Sequence, residues 1–149
     1  MSDISQQKIQ QDIIEEINIF ENRVDKYEYI IELGKTLEPL SNEMKNDNAR
    51  VKGCQSNVWL HAREKEGLLF FQADSDAFIV KGLIVLLLKL FSGQRPHTIM
   101  ATEMTPFIQK AGLDELLSPN RANGLQAMIK QIKYFALAAT ATKQINESH

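Results

Sequence analysis

"NVWLHAREKEGLLFFQADSDAFIVKGLIVLLLKLF", Asn57 to Phe91, decides the fold, because it passes from two short aromatic and β-branched segments into a long apolar run. "NVWLHAR" and "LLFFQA" have the composition of strands, and "EKEG" between them carries a turn glycine at Gly67, so the pair predicts a β-hairpin. "DSDA", Asp74 to Ala77, then offers helix caps and acidic residues for a first helical turn, where the positive end of the dipole favours them. The run from Ile79 to Phe91 is broken by Lys81, Gly82 and Lys89 and is shorter than the roughly 18 to 20 residues of a membrane span. It predicts a buried helix, apolar nearly all round and therefore central.

Working outward toward the N-terminus, Ile9, Ile13, Ile17 and Phe20 recur at helical spacing with Glu15 and Glu16 between them. A second helix is expected after "ENRV", capped by Asp25, with an inner face of Tyr27, Ile30, Ile31, Leu33 and Leu37, and ended by Pro39. Glu38 to Arg50 is polar and rich in turn formers, which predicts an exposed loop. A third short strand is expected around Arg50 to Lys52.

Toward the C-terminus, "SGQRPHTIMATEMTPFIQKAG" predicts two short helices, the second with Thr105 as cap, Pro106 as first residue and Gly112 as terminator. Ser118 and Pro119 repeat the cap-then-proline signal, and Leu125, Met128, Ile129, Ile132 and Phe135 form one stripe on a last helix. Helices, a small antiparallel sheet of about three strands, then helices again describe an α+β fold in which helices from both ends of the chain cover the sheet. The expectation is one domain over residues 1–149, with a core at about 9–139 and a flexible tail at 140–149.

The 149 residues, 44% of them hydrophobic, suffice for a core without disulfides. Seventeen basic against nineteen acidic residues leave a net charge of −2, which argues against a nucleic-acid partner. "MSDISQQKIQQD" resembles neither a signal nor a transit peptide, and one reduced cysteine points to the cytoplasm, with no membrane partner expected.

That cysteine is Cys54, in "RVKGCQSNVW". Alone, it cannot close an internal disulfide or supply the paired ligands of a zinc finger, and no metal site is expected. It follows Gly53, which permits a tight turn, and precedes Gln55, Ser56 and Asn57, so it lies at a loop-to-strand junction rather than in an apolar stripe. Two readings stay open: small buried filler, or a thiol that reacts with another molecule. Reactivity requires thiolate, and an ordinary thiol is only about 3% ionised at pH 7; half ionisation needs roughly 2 kcal/mol of selective stabilisation. Arg121, a cation in the first turn of the last helix where it opposes the dipole, is a candidate neighbour; the alternative is a solvated arginine. His61, seven residues after Cys54 on a predicted strand, leaves a cysteine-histidine hydrolase as a weak option. No Gly-rich phosphate loop, zinc-protease motif or lysine-centred cofactor motif occurs. Asp74 and Asp76 read as a helix start rather than an acid/base couple.

"YIIELGKTL" (Tyr29 to Leu37), "GCQSNVW" (Gly53 to Trp59), "DSDAFIVKGL" (Asp74 to Leu83) and "LSPNRANGLQAM" (Leu117 to Met128) together resemble the SufE family, over about Ile9 to Ala139. The resemblance implies a fold shared with IscU-type scaffolds and a role in iron-sulfur cluster assembly by the Suf pathway. Cys54 would accept persulfide sulfur from a pyridoxal-phosphate-dependent cysteine desulfurase of SufS type, activate that enzyme, and deliver the sulfur to the SufBCD scaffold. The pyridoxal phosphate belongs to the partner, so no cofactor is expected here. Gly53, Gln55, Ser56, Asp74 and Arg121 are implied to shape the Cys54 loop or meet the partner, with the thiol sheltered in an apolar cavity. Four thiolate or equivalent ligands usually hold an iron-sulfur cluster, so Cys54 alone suits a carrier of sulfur rather than of clusters. A CsdE-type acceptor for another desulfurase, a purely allosteric desulfurase-binding module and a redox-sensing thiol remain alternatives, and a homodimer stays open. Asn57, where glutamine or a similar residue is common, departs slightly from the pattern.

Overall fold

A computed structural model describes residues 2–147, with side chains described for 6–142. Two helices, α1 (Ser2–Asn18) and α2 (Arg23–Gly34), lead through a loop containing a 3-10 turn (Asp47–Ala49) into the hairpin β1 (Val58–Lys65) and β2 (Leu68–Ser75). Then follow α3 (Phe78–Phe91), three short helices α4 (Pro96–Ala101), α5 (Thr105–Lys110) and α6 (Leu113–Leu116), and the long α7 (Pro119–Glu147). The architecture is α+β, as expected. α7 continues to Glu147, past Ala139 and into the stretch expected as a tail, of which residues 148–149 lie outside the described residues.

The hairpin pairs in antiparallel register from Val58 opposite Ser75 to Lys65 opposite Leu68. Glu66 (φ 55°) and Gly67 (φ 81°) turn it, both in the left-handed region that a two-residue hairpin loop demands. Among the described residues the sheet has two strands, not three. The expected third strand shrinks to one bridge, Arg50 opposite Trp59, with the Val51 N–H donating to the Val58 carbonyl at 2.8 Å. Gly53 (φ 91°) turns the chain away immediately afterwards, so the ladder cannot propagate.

α3 is the core element. Ile79, Leu83, Ile84, Leu86, Leu87, Leu90 and Phe91 are buried by the hairpin, α1, α2 and α7, while Phe78 and Lys89 mark an exposed stripe on the other side. Across the sheet, Val58, Leu60 and Ala73 meet Ile84 and Leu87 of α3 and Met128 and Ile132 of α7. α2 crosses α3 at two glycines: a Cβ on Gly82 would collide with the Ile30 carbonyl oxygen, and one on Gly34 would stand 2.7 Å from the Gly82 nitrogen. The approach leaves no space for a side chain at either glycine, and the Ile30 side chain packs directly against Gly82.

Several boundaries differ from the sequence expectation. Asn22, not Asp25, caps α2, accepting from the Asp25 N–H at 2.8 Å, and the helix stops at Gly34, well before Pro39. Tyr27 is exposed while Ile30 and Gly34 form the buried face. α5 begins at Thr105 with Met104 before it, and Gly112 (φ 74°) ends that turn only to open the single turn α6. Ser118 caps α7 as expected, its Oγ accepting from the Arg121 N–H at 3.3 Å.

Candidate functional site

Cys54 sits on a short loop anchored at both ends. Upstream, the Val51–Val58 backbone bond fixes the chain to the hairpin. Downstream, Asn57 is clamped from three directions: its carbonyl accepts from Ser75 Oγ at 2.7 Å, its N–H donates to Asp76 Oδ1 at 3.2 Å, and its amide donates to Asp76 Oδ2 at 2.8 Å. Between these anchors, two side-chain hydrogen bonds hold residues 52–56 among the described residues. Arg121 Nη1 donates to Ser56 Oγ at 2.7 Å, and Cys54 Sγ donates weakly to the Gly124 carbonyl at 3.6 Å.

The thiol is half-buried, facing a cavity walled by Val58, Val80, Leu83, Leu125 and Met128, with Asn120 and Arg121 at its edge. Gly124 packs against it: a Cβ there would stand 3.8 Å from Sγ, at ordinary van der Waals contact. The cavity holds about 10 Å³ of free space, the lower limit for a single water. Burial pushes the Cys54 thiol up from its ordinary pKa, because the low-dielectric wall disfavours thiolate. Arg121 reaches Ser56 Oγ and so acts on the loop rather than on the sulfur. Half-burial therefore biases the Cys54 thiol toward its protonated form.

The structure brings together Cys54, Gln55, Ser56 and Arg121 around the cavity, with Gln55 exposed at its margin, while Gly53 is exposed and lines the neighbouring groove. Asp74 is elsewhere. It closes no helix, since β2 extends through Ser75 and the first turn of α3 follows Ala77, whose N–H donates to Ser75 Oγ at 3.2 Å. Asp74 is instead a buried carboxylate, 1% exposed, accepting from the Leu40 N–H at 3.1 Å and the Ser75 N–H at 2.8 Å, with Lys45 at 3.4 Å and Lys81 at 3.7 Å. Burial is the strongest single influence on it and acts upward, yet the two backbone donors and the two lysines together hold its carboxyl below the usual range. Its role is to staple the 36–45 loop to the hairpin. Asp76, expected to start the helix, is the clamp on Asn57. His61 Nε2 lies 2.7 Å from the Met44 carbonyl and forms no part of the cavity around Cys54, so no cysteine-histidine pair is assembled.

Sequence reading missed Gly124 and Ser75. Gly124 lies four residues after Asn120, on the same face of α7, and it serves Cys54 through its backbone carbonyl, which leaves no side-chain signal in the sequence. Among the described residues no three His, Cys, Asp or Glu side chains gather to hold a metal ion, and no helix is long and apolar enough to cross a membrane.

Residues 11–136 match the SufE family, described as an Fe-S metabolism associated domain. The chain is 41% identical over 125 residues to an uncharacterized SufE-like protein of Rhizobium meliloti (strain 1021), covering 81% of this chain and 89% of that one. Its fold is similar to the solution structure of a hypothetical protein from Thermus thermophilus, with a TM-score of 0.73 at 20% identity, covering 89% of this chain and 96% of that one. The only cysteine thus lies on a doubly anchored loop, inside a domain whose family match extends well beyond that loop on both sides, and the chain belongs to the SufE family of iron-sulfur metabolism.

Proposed function

We propose that Cys54 is the acceptor of persulfide sulfur from a pyridoxal-phosphate-dependent cysteine desulfurase of SufS type, activates that enzyme by unloading it, and passes the sulfur to a SufBCD-type scaffold. The observation that carries this reading is the lone thiol on a loop pinned at Val51 and Asn57 and lightly held between them. Fixed ends give a short, directed swing. Loose middle contacts give access without unfolding.

In the transfer, the Cys54 thiolate attacks the terminal sulfur of the partner's persulfide. A new S–S bond forms at Cys54, the partner's S–S bond breaks, and its electron pair stays on the partner's cysteine as thiolate. No oxidant is consumed. The cavity has no room for a partner's persulfide, so the loop carries the thiol outward, and the burial that raises its pKa is relieved by the same motion. A single cysteine suits the task, because a second thiol within reach would discharge the persulfide as sulfide and leave a disulfide.

Intact-mass measurement after incubation with desulfurase and free cysteine should show the mass of added sulfur on the wild type and none on Cys54→Ser. Equal adducts on both proteins would sink the assignment. Full acceleration of the desulfurase by Cys54→Ser would make the chain an allosteric module, and pairing with a different desulfurase would mark a CsdE-type acceptor.

A further inference from the structure

On a different face of α7 from the Cys54 cavity runs a groove of about 620 Å³, bounded on its other side by residues 48–53 and so continuous with the acceptor loop. Leu60 and Phe135 contribute its apolar surface, and Asn123, Gln126 and Gln131 line it with amides. Three cations, Arg50, Lys52 and Lys130, line it, and no carboxylate does. All three are exposed, and none forms an ion pair among the described residues, whereas Lys45 and Lys81 are both matched by Asp74. In a chain of net charge −2, this is a local concentration of unmatched positive charge.

We infer that this groove receives an acidic peptide segment of the protein that meets Cys54, which rests on the sulfur-acceptor reading above. The charge selects for glutamate or aspartate side chains. Three cations are too few to track a nucleic-acid backbone, where binding grows with the number of phosphates neutralised. The amides favour peptide over a small anion: each offers both a donor and an acceptor, which matches the alternating N–H and C=O of a main chain, whereas a small anion uses donors alone. Arg50 and Lys52 flank the Val51 anchor while Lys130 stands on α7. A segment lying across them spans the stem of the acceptor loop and the helix beneath it, holding a partner beside the thiol.

The test titrates the full isotopically labelled chain with a short glutamate-rich peptide and follows backbone amide shifts. Support is saturable change concentrated at residues 48–53 and 123–134, weakened about three- to fivefold by each of Arg50→Glu, Lys52→Glu and Lys130→Glu, as expected for an exposed ion pair. The glutamine counterpart of the peptide should bind more weakly. Absent or scattered shifts, equal binding of the glutamine peptide, equal displacement by inorganic phosphate at matched ionic strength, or tighter binding of a single-stranded oligonucleotide would each overturn it. Sulfur loading of Cys54, read by mass, is independent of this titration, so failure of the groove and failure of the acceptor reading are told apart.

Discussion

Ser56→Ala removes the stronger of the two contacts that hold the Cys54 loop between its anchors. The lost bond, Arg121 Nη1 to Ser56 Oγ at 2.7 Å, is charge-assisted, and such bonds contribute about 1.5–3 kcal/mol when well shielded. Both residues are only partly buried, so water replaces the hydroxyl for Arg121, and about 1 kcal/mol is the appropriate figure. That corresponds to roughly a fivefold larger open population at 25 °C. The remaining Cys54–Gly124 contact, at 3.6 Å, is too weak to compensate. Alkylation of Cys54 by iodoacetamide, with partner absent and reagent dilute enough that the loop recloses between encounters, should therefore accelerate about fivefold. The apparent thiol pKa should move down, because the open loop escapes the burial that raises it. Gln72→Ala, at an exposed β2 position outside the Cys54 cavity, is the control and should leave the rate unchanged. An unchanged or slower rate in a Ser56→Ala protein of wild-type urea midpoint would show that the Arg121 bond does not govern access to the thiol.

Gly82→Ala should destabilise the protein by about 1–3 kcal/mol in urea unfolding, as overpacking against the Ile30 carbonyl outweighs the gain of about 1 kcal/mol in helix propensity. Stabilisation would mean that α2 and α3 do not cross where described. Asp74→Asn should cost about 1–3 kcal/mol at pH 7, a buried-pair penalty discounted because Lys45 and Lys81 are partly exposed. Because the folded-state pKa of Asp74 is depressed, its stabilisation is present above the unfolded value of about 3.9 and is lost as pH falls below it toward the folded value. Stability curves of wild type and Asp74→Asn should therefore converge in acid. A constant gap across that window would contradict the arrangement.

The elements with strong local signals were legible in the chain itself. The dense apolar run from Ile79 to Phe91, only briefly interrupted, forces a central helix, the Gly67 turn forces the hairpin, and Ser118–Pro119 opens the last helix, because each depends on backbone preference and hydrophobic period within a few residues. The isolation of Cys54 beside Gly53 likewise marks a thiol outside any apolar stripe. Only tertiary structure could decide what surrounds it. Asp74 carries a capping signal, yet β2 runs through it, and its burial beside Lys45, Lys81 and the Leu40 N–H comes from segments distant in sequence. The third strand lost its ladder because Gly53 turns away to bring Cys54 over Gly124, 70 residues on. Local propensity acts over a turn or two of chain, whereas the shelter of the thiol and the hold of Arg121 on Ser56 arise only once α3 has brought the hairpin and α7 together.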